Sequence, residues 1–142
     1  MGYDYDDYDY SYSSNNKAKI MIVDDSPLIL RNIKNILDAK YTVFLATSGK
    51  QALNAIPDKN PDLVLLDYKM PEMDGKDVIE AMHADENMKD IPVIFLTSTS
   101  DRNAIHSLLK TKPAGYILKP PDEEKLRETI AEVLKNKKQE AD

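Results

Sequence analysis

The sequence predicts an α/β domain in which a five-stranded parallel sheet is covered by helices on both faces. Between residues 17 and 136, short aliphatic runs alternate five times with amphipathic segments of helical spacing. The run at residues 63–67 is apolar on both of its faces, as in a strand buried inside a parallel sheet. Since right-handed crossovers place helices on either side of such a sheet, we expect a three-layer sandwich.

Local residue chemistry predicts each element in turn. Ser26 offers a capping hydroxyl and Pro27 a preset first turn, so a helix begins there, and Pro57 is expected to end the second helix. The predicted strands lie at residues 19–24, 42–46, 63–67, 92–97 and 115–118. The helices after the first lie at residues 48–56, 76–83, 102–110 and 122–136.

The two ends of the chain differ in composition from this middle region. Residues 1–16, MGYDYDDYDYSYSSNN, offer no periodic apolar face and are predicted to be disordered; a docking tail whose rings grip a partner is the alternative. Residues 137–142 are predicted to be a flexible C-terminus, too short for a DNA-binding or catalytic output domain. The prediction is therefore one domain at 17–136, whose output passes through another protein.

Composition excludes several classes of function. The net charge is -6, to which the aspartates of residues 1–16 contribute four negative charges, and no basic patch is visible in the sequence. Nucleic-acid binding is therefore not expected. Cysteine is absent, which excludes disulfides and thiolate metal sites and favours the cytoplasm. Aliphatic runs such as residues 63–66 stop at four residues, and no basic start precedes an apolar stretch, so neither secretion nor membrane insertion is expected.

Chemically active side chains follow several strands of the predicted sheet, at the rim where such sheets carry their sites. Asp24 and Asp25 follow the first strand, while Asp67, Thr97 and Lys119 stand at the ends of the third, fourth and fifth. Taken singly, these residues have ordinary interpretations: a helix-capping acid, a strand-end turn former, a β-branched strand residue and a solvated charge. Their coincidence at one rim favours a reactive site.

Four strings, IMIVDDSP, LVLLDYKMPEMDG, VIFLTSTS and GYILKP, resemble the receiver domains of two-component response regulators over roughly residues 17–136. The resemblance implies the flavodoxin-like strand order 2-1-3-4-5 and a single-domain signalling switch rather than an enzyme. It implies that Asp67 accepts a phosphoryl group from a phosphohistidine donor and that the protein promotes its own phosphorylation and dephosphorylation. The implied partners are a sensor histidine kinase or histidine phosphotransfer protein and a downstream target protein.

In that strand order the first and third strands are neighbours, so Asp24, Asp25 and Asp67 are expected to converge. Close like charges favour a hard divalent cation with oxygen ligands, and Mg²⁺ is the predicted ion, with Mn²⁺ as a substitute. The resemblance adds the backbone carbonyl of Lys69 to this ligand set. It also gives Lys119 the role of a cation on the phosphoryl oxygens.

The resemblance further implies a switch between two surface states. Thr97 would bind the phosphoryl group, Tyr116 would turn inward, and the surface of the fourth helix, fifth strand and fifth helix would change; a half-buried strand aromatic is the alternative for Tyr116. It also implies a cis bond between Lys119 and Pro120. From its position two residues after Asp67, we hypothesise that the Lys69 ammonium pairs with a phosphoryl oxygen and hinders the hydrolytic water. Thr99, two residues after Thr97, is a candidate for shaping the same access, and an ordinary polar loop residue is the alternative.

Other functions stay open at this stage. Within the family, the chain is alternatively a phosphorelay intermediate or a receiver module excised from a longer hybrid kinase or response regulator. A haloacid-dehalogenase-like phosphohydrolase is disfavoured because its general acid would be an aspartate at position 69, where this chain has lysine. We expect a monomer, with a phosphorylation-dependent dimer as the alternative.

Overall fold

The computed structural model describes the backbone of residues 17–141 and the side chains of residues 17–139. It contains five strand-helix units. The disorder predicted for residues 1–16 concerns a segment outside the described residues. The strands are β1 (Lys19–Val23), β2 (Thr42–Ala46), β3 (Leu63–Asp67), β4 (Val93–Thr97) and β5 (Gly115–Leu118). The helices are α1 (Pro27–Leu37), α2 (Gly49–Lys59), α3 (Gly75–His83), α4 (Arg102–Leu109) and α5 (Glu123–Ala141).

The five strands form one parallel sheet in the order β2-β1-β3-β4-β5. The predicted fold class and strand order are therefore confirmed. The register pairs Val23 with Leu66 and Asp67 with Leu96, so Asp24 and Asp67 leave neighbouring strands at the same height. All strand carboxyl ends share one rim, which we call the carboxyl rim.

Two hydrophobic cores lie on opposite faces of the sheet, which confirms the three layers. On one face α1 and α5 pack through Ile33, Leu37, Leu126 and Ile130 against alternate strand residues. On the other face α2, α3 and α4 cover the remaining strand residues, including the fully buried Phe95. Since β1, β3 and β4 are buried on both faces, their ends are held rigidly, and these are the ends that carry Asp24, Asp67 and Thr97.

Local caps explain where most helices begin. Ser26 and Ser48 accept the backbone N–H of the third residue beyond them, at 3.4 and 3.1 Å. Asp74 and Asp77 form a reciprocal capping box at α3, and Asp101 accepts the N–H of Ala104 at α4. These caps begin α1 to α4 at the carboxyl rim and so position the loops around it.

Two predicted helix ends were wrong. Pro57 lies inside α2, which ends at Asn60 in a left-handed conformation (φ 49°) whose N–H donates to Ile56 O at 2.7 Å. A proline in the last turn removes only one hydrogen bond, so the helix continues past it. Helix α5 extends beyond residue 136 to Ala141, and Lys137 Nζ donates to the backbone oxygen of Asp62 at 3.2 Å. The flexibility of residues 137–142 stays a prediction.

Six further boundaries shift by one residue from those predicted. Strand β1 ends at Val23 rather than residue 24, and β4 begins after Pro92. Helix α2 begins at Gly49 rather than residue 48, α3 begins at Gly75, α4 ends before Lys110, and α5 begins after Asp122. Within residues 17–141, no helix has both the length and the apolar composition that crossing a bilayer requires.

Candidate functional site

A cavity of about 390 Å³ opens at the carboxyl rim, where β1, β3, β4 and β5 end. Its lining combines carboxylates, hydroxyls and ammonium groups with a single aliphatic side chain. The lining residues are Asp24, Asp25, Ser26, Ile29, Asp67, Lys69, Thr97, Ser98, Thr99 and Lys119. Six of the seven site residues predicted from the sequence therefore meet here, and the seventh, Tyr116, does not line the cavity.

Asp67 is the last residue of β3 and is only 4% exposed. The loop after it is tightly packed: the N–H of Gly75 donates to Tyr68 O at 2.8 Å, and a Cβ at Gly75 would lie 2.8 Å from Asp67 O. On the next strand, the Phe95 ring meets the Tyr68 ring edge-on at 5.0 Å between centroids. The Asp67 backbone is thus fixed by packing on both sides, while its carboxylate faces the cavity.

Asp24 is buried, whereas Asp25 is exposed. Asp24 Oδ1 accepts the backbone N–H of Ser26 at 2.9 Å. Asp24 Oδ2 is buried and lies 2.7 Å from Lys119 Nζ as an ion pair, and no other group of the described residues donates to it. The ammonium is therefore its sole partner, which leaves this carboxylate oxygen able to accept a second cation.

Lys119 reaches across the cavity from the end of β5. Its Nζ donates to Asp67 Oδ1 at 2.9 Å and pairs with Asp24, so one ammonium serves two carboxylates. The Lys119 backbone N–H donates to Thr97 O at 2.8 Å, and the following bond to Pro120 is cis, as the family resemblance implied. The sequence did not predict a direct contact of Lys119 with both acids.

Burial and like charges determine the electrostatics of the site. Burial, together with the charges of Asp24 and Asp25, raises the pKa of Asp67 from 3.8 to about 6, although the hydrogen bond from Lys119 acts in the opposite direction. For Lys119, burial by itself would lower the pKa, but the two carboxylates outweigh it, and the pKa lies above its ordinary value. Lys119 is therefore firmly charged, and Asp67 is ionised at neutral pH at a free-energy cost.

The carboxylates fit a divalent cation. Asp24, Asp25 and Asp67 can each direct one oxygen so that all three lie within 4.8 Å of one another. Hard cations such as Mg²⁺ take oxygen ligands of this kind, and Asp24 Oδ2, whose sole partner in the described residues is Lys119, has lone-pair capacity left for such an ion. The acidic cluster is therefore compatible with the Mg²⁺ expected from the sequence.

Thr97 is 3% exposed and connects the cavity to α4 through a short chain of hydrogen bonds. Its Oγ1 accepts the N–H of Thr99 at 3.3 Å, and Thr99 Oγ1 accepts the N–H of Asp101 at 3.1 Å. Asp101 in turn caps α4 by accepting the N–H of Ala104 at 3.0 Å. A change in the hydrogen bonds of Thr97 would therefore reach the first turn of α4.

Lys69 and Tyr116 occupy the margins of the site. Lys69 is exposed and lies between the main cavity and a neighbouring one of about 430 Å³ at the β3–α3 loop. Tyr116 is 37% exposed and lines a separate cavity of about 520 Å³ with Leu118 and Lys125. In this structure the Tyr116 ring belongs to the outer surface of β5 and α5.

The sequence did not identify three residues of the cavity wall: Ser26, Ile29 and Ser98. Ser26 was read only as a helix cap, although its backbone N–H also binds Asp24. Ser98 stands next to Thr97, and this adjacency to a strand-end hydroxyl was the available signal. For Ile29 the sequence offers no such signal beyond its place in the first turn of α1.

Known proteins resemble this chain in sequence over most of its length. The family model described as "Response regulator receiver domain" matches residues 20–131. Chemotaxis protein CheY of Pseudomonas aeruginosa is 36% identical over 118 residues, which cover 82% of this chain and 95% of that protein. Hybrid signal transduction histidine kinase D of Dictyostelium discoideum is 31% identical over 124 residues, which cover 87% of this chain but 8% of the kinase.

Solved structures show the same likeness. The response regulator receiver domain protein from Clostridium thermocellum has a TM-score of 0.78 at 29% identity, over 86% of this chain and 98% of that one. Chemotaxis response regulator CheY4 of Vibrio cholerae has a TM-score of 0.77 at 28% identity, over 83% and 99%. These structures therefore share the fold of this chain over most of its length.

Proposed function

The chain belongs to the response regulator receiver domain family, and from that premise we propose that it is a phosphorylation switch whose phosphoryl acceptor is Asp67. The observation that carries the proposal is one arrangement: a buried strand-end carboxylate faces a cavity in which Lys119 Nζ lies 2.9 Å away and two further carboxylates converge. An Asp67 oxygen would form a bond to phosphorus as the bond to the donor imidazole nitrogen breaks. The electron pair of the broken bond remains on the imidazole.

Lys119 would stabilise the transferred phosphoryl group. Its ammonium already contacts Asp67 Oδ1, so it lies within reach of an oxygen on a phosphoryl group attached there. The raised pKa of Lys119 keeps it charged throughout the neutral range. A fixed cation at the position where negative charge accumulates is an effective catalyst of phosphoryl transfer.

Asp24, Asp25, Asp67 and the backbone carbonyl of Lys69 would hold Mg²⁺, or Mn²⁺ as a substitute. When bound, the ion supplies positive charge that offsets the charge of the incoming phosphoryl group. The chain's own contribution is the prior placement of these oxygens by β1 and β3, two buried neighbouring strands.

Thr97 and Tyr116 would convert the modification into a change of surface. We propose that Thr97 donates its hydroxyl to a phosphoryl oxygen and, in moving, gives up the N–H of Thr99. The chain of hydrogen bonds to Asp101 then transmits the change to α4, and the Tyr116 ring turns inward from its exposed position. The altered surface would be that of α4, β5 and α5.

The proposed partners are a sensor histidine kinase or histidine phosphotransfer protein as donor and a downstream protein as target, in the cytoplasm. The proposed oligomeric state is a monomer, and the alternative is a dimer that forms on phosphorylation. In this function the protein is a signalling switch, and its catalysis is confined to its own modification.

Acetyl phosphate with Mg²⁺, followed by mass spectrometry of the intact chain, tests the proposal. We expect the mass of one added phosphoryl group on the wild type and none on Asp67→Asn. The matched control is Asp74→Asn, which removes a carboxylate seven residues away but keeps a good helix cap. Equal modification of wild type and Asp67→Asn would contradict the proposal, as would loss of modification in the control.

A second candidate is a phosphorelay intermediate or a module of a longer protein. The observation that favours it is the similarity to the hybrid kinase, of which this chain spans only 8%. Phosphotransfer profiling distinguishes the two functions: an intermediate passes its phosphoryl group on to a second histidine protein, whereas a terminal regulator loses it to water. A haloacid-dehalogenase-like hydrolase stays disfavoured because the residue two positions after Asp67 is the exposed Lys69.

A further inference from the structure

The rim opposite the proposed phosphorylation site gathers lysines that are scattered along the sequence. Because all strands are parallel, the residues before each strand and the last turns of the helices lie together. We call this surface the basal rim and define it as residues 17–19, 38–41, 58–62, 85–92, 110–114 and 135–139. Its lysines are Lys17, Lys19, Lys40, Lys59, Lys89, Lys110, Lys112, Lys135, Lys137 and Lys138, and its acids are Asp38, Asp58, Asp62, Asp85, Glu86 and Asp90.

The ion pairs of the basal rim leave an excess of positive charge. Four of the six acids already have a lysine partner: Asp38, Asp58, Asp62 and Glu86. Most of the lysines, in contrast, make no ion pair with any residue of the described range. The sequence showed no basic patch because these lysines come from six separate segments, which only the fold brings together.

A groove of about 260 Å³ opens on the basal rim between α5 and the starts of β4 and β5. Pro92, Ala114 and Val133 form its apolar part, and Asp90, Asn136 and Lys137 supply polar groups. A lining that combines apolar side chains with hydrogen-bonding groups suits a phenol, whose ring is apolar and whose hydroxyl is polar. The groove therefore suits tyrosine better than a purely aliphatic side chain.

The chain enters the described fold at Lys17, two residues before Lys19, which is linked to the groove through Asp62. Lys19 N–H donates to Asp62 Oδ2 at 2.8 Å, and Lys137, which lines the groove, lies 3.8 Å from Oδ1 of the same carboxylate. Residues 1–16 join the domain at this point and contain four aspartates and five tyrosines but no lysine or arginine. Sixteen residues can span up to about 50 Å, which is ample for a basal surface of this size.

We propose that residues 1–16 dock on the basal rim of their own chain, with aspartates against the lysines that make no ion pair within the described residues and a tyrosine ring in the groove. Charge complementarity and the point of attachment both favour this occupant. Covalent attachment beside the groove also gives the segment a high effective concentration there, which a separate partner lacks. The site lies at the opposite end of the sheet from Asp67, so the inference is independent of the proposed phosphorylation.

Paramagnetic relaxation enhancement on the whole chain tests the proposal. Since the chain has no cysteine, Gly2→Cys accepts a nitroxide label at a single position, fifteen residues from Lys17. At low ionic strength we expect the amides of Ala114 and Asn136 to broaden severalfold more than those at the carboxyl rim, such as Ser98. The tether alone keeps the label near the basal rim, so the deciding observation is a severalfold fall of this difference at about 0.5 M salt, where exposed charges are screened. Uniform broadening, or a difference that salt leaves unchanged, would overturn the proposal and leave the rim to a different anionic partner.

Two charge variants and one mixed sample complete the design. Lys135→Gln with Lys138→Gln, on exposed positions of α5, should reduce the selective broadening, whereas Lys50→Gln with Lys76→Gln, near the carboxyl rim, should not. Equal effects of the two pairs would refute the proposal. In a mixture of ¹⁵N-labelled chain without nitroxide and unlabelled chain with nitroxide, we expect no selective broadening. Its appearance would assign the groove to a second copy and overturn docking within one chain.

Discussion

Replacing Asp67 by asparagine is expected to stabilise the metal-free domain at neutral pH, although it removes the proposed phosphoryl acceptor. Burial and the neighbouring Asp24 raise the pKa of Asp67 to about 6, and Lys119 does not fully compensate. Asparagine has nearly the same shape but no charge, so it removes the cost of ionisation. Lys119 keeps Asp24 as an ion-pair partner in the variant.

The magnitude follows from the two pKa values. The folded value of about 6 exceeds the ordinary value of 3.8 by roughly two units, and one unit corresponds to about 1.36 kcal/mol, so ionising Asp67 in the fold costs about 3 kcal/mol. The folded state holds this proton more tightly than the unfolded chain. Protonation of Asp67 therefore stabilises the folded state fully below about pH 3.8, and this stabilisation is lost as the pH rises through about 6.

Urea unfolding in the presence of a chelator, followed by circular dichroism, measures the effect. We expect Asp67→Asn to raise the free energy of unfolding by about 2–3 kcal/mol near pH 7.5 and by much less near pH 4. Asp90→Asn, a change at an exposed acid, is the matched control and should alter the free energy of unfolding by less than about 0.5 kcal/mol. Added Mg²⁺ should stabilise the wild type preferentially and narrow the difference.

Two outcomes would refute this electrostatic reasoning. One is an Asp67→Asn variant that is no more stable than the wild type near pH 7.5. The other is a gain of the same size near pH 4, which would mean that packing, and not charge, accounts for it. The slope with pH distinguishes the two causes, because the other titratable groups are common to both proteins and only the variant lacks the Asp67 carboxyl.

Three further changes test other parts of the site. Lys69→Asn should speed loss of the phosphoryl group about tenfold, as expected for one charge-assisted hydrogen bond, in a time course of intact mass; an unchanged rate would end the hypothesis for Lys69. Gly75→Ala places a Cβ 2.8 Å from a backbone oxygen and should lower the free energy of unfolding, measured in urea, by roughly 2 kcal/mol or more. Gly115→Ala is the control: its Cβ meets nothing nearer than 4.0 Å and should lower the free energy of unfolding by less than about 1 kcal/mol. Thr99→Val should accelerate hydrogen exchange of the Asp101 amide, which loses its acceptor; unchanged protection would contradict the proposed link to α4.

The strands were predictable from local sequence because their cause is local. Strands β2, β3 and β5 begin and end at the predicted residues, and the remaining two differ by one residue at one end. At β4, Pro92 stays outside the strand although its carbonyl accepts the N–H of Val64. The order of the strands, in contrast, came only from the family resemblance, since a crossover helix looks the same whichever neighbour its strand joins.

The helix ends depended on contacts that the sequence pattern does not carry. Asn60 ends α2 three residues after Pro57 by adopting a left-handed backbone conformation. The fold, and not the local sequence pattern, determines this conformation. Helix α5 is anchored near its C-terminal end by the hydrogen bond from Lys137 to Asp62, across 75 residues of sequence. A partner at that separation is invisible to helical periodicity.

For the site, the sequence predicted which residue types meet but not how they share their charges. The register places Asp24 level with Asp67, while Thr97 stands one position beyond that level. These heights determine that Lys119 reaches both carboxylates and that Asp24 is buried while Asp25 is exposed. No pattern within a single strand contains this information.

The same charge imbalance that costs stability makes the site responsive. A carboxylate cluster that its own chain fully neutralised would be more stable. Its free energy would, however, change little when a cation is added or when Lys119 changes its partner. Here one ammonium is divided between two carboxylates, and it is the sole partner of one buried oxygen of Asp24 within the described residues. The proposed modification of Asp67 would therefore change the partners of Lys119 and Asp24 together, and the free energy stored in the unmodified site would be available for the proposed shift between two surface states.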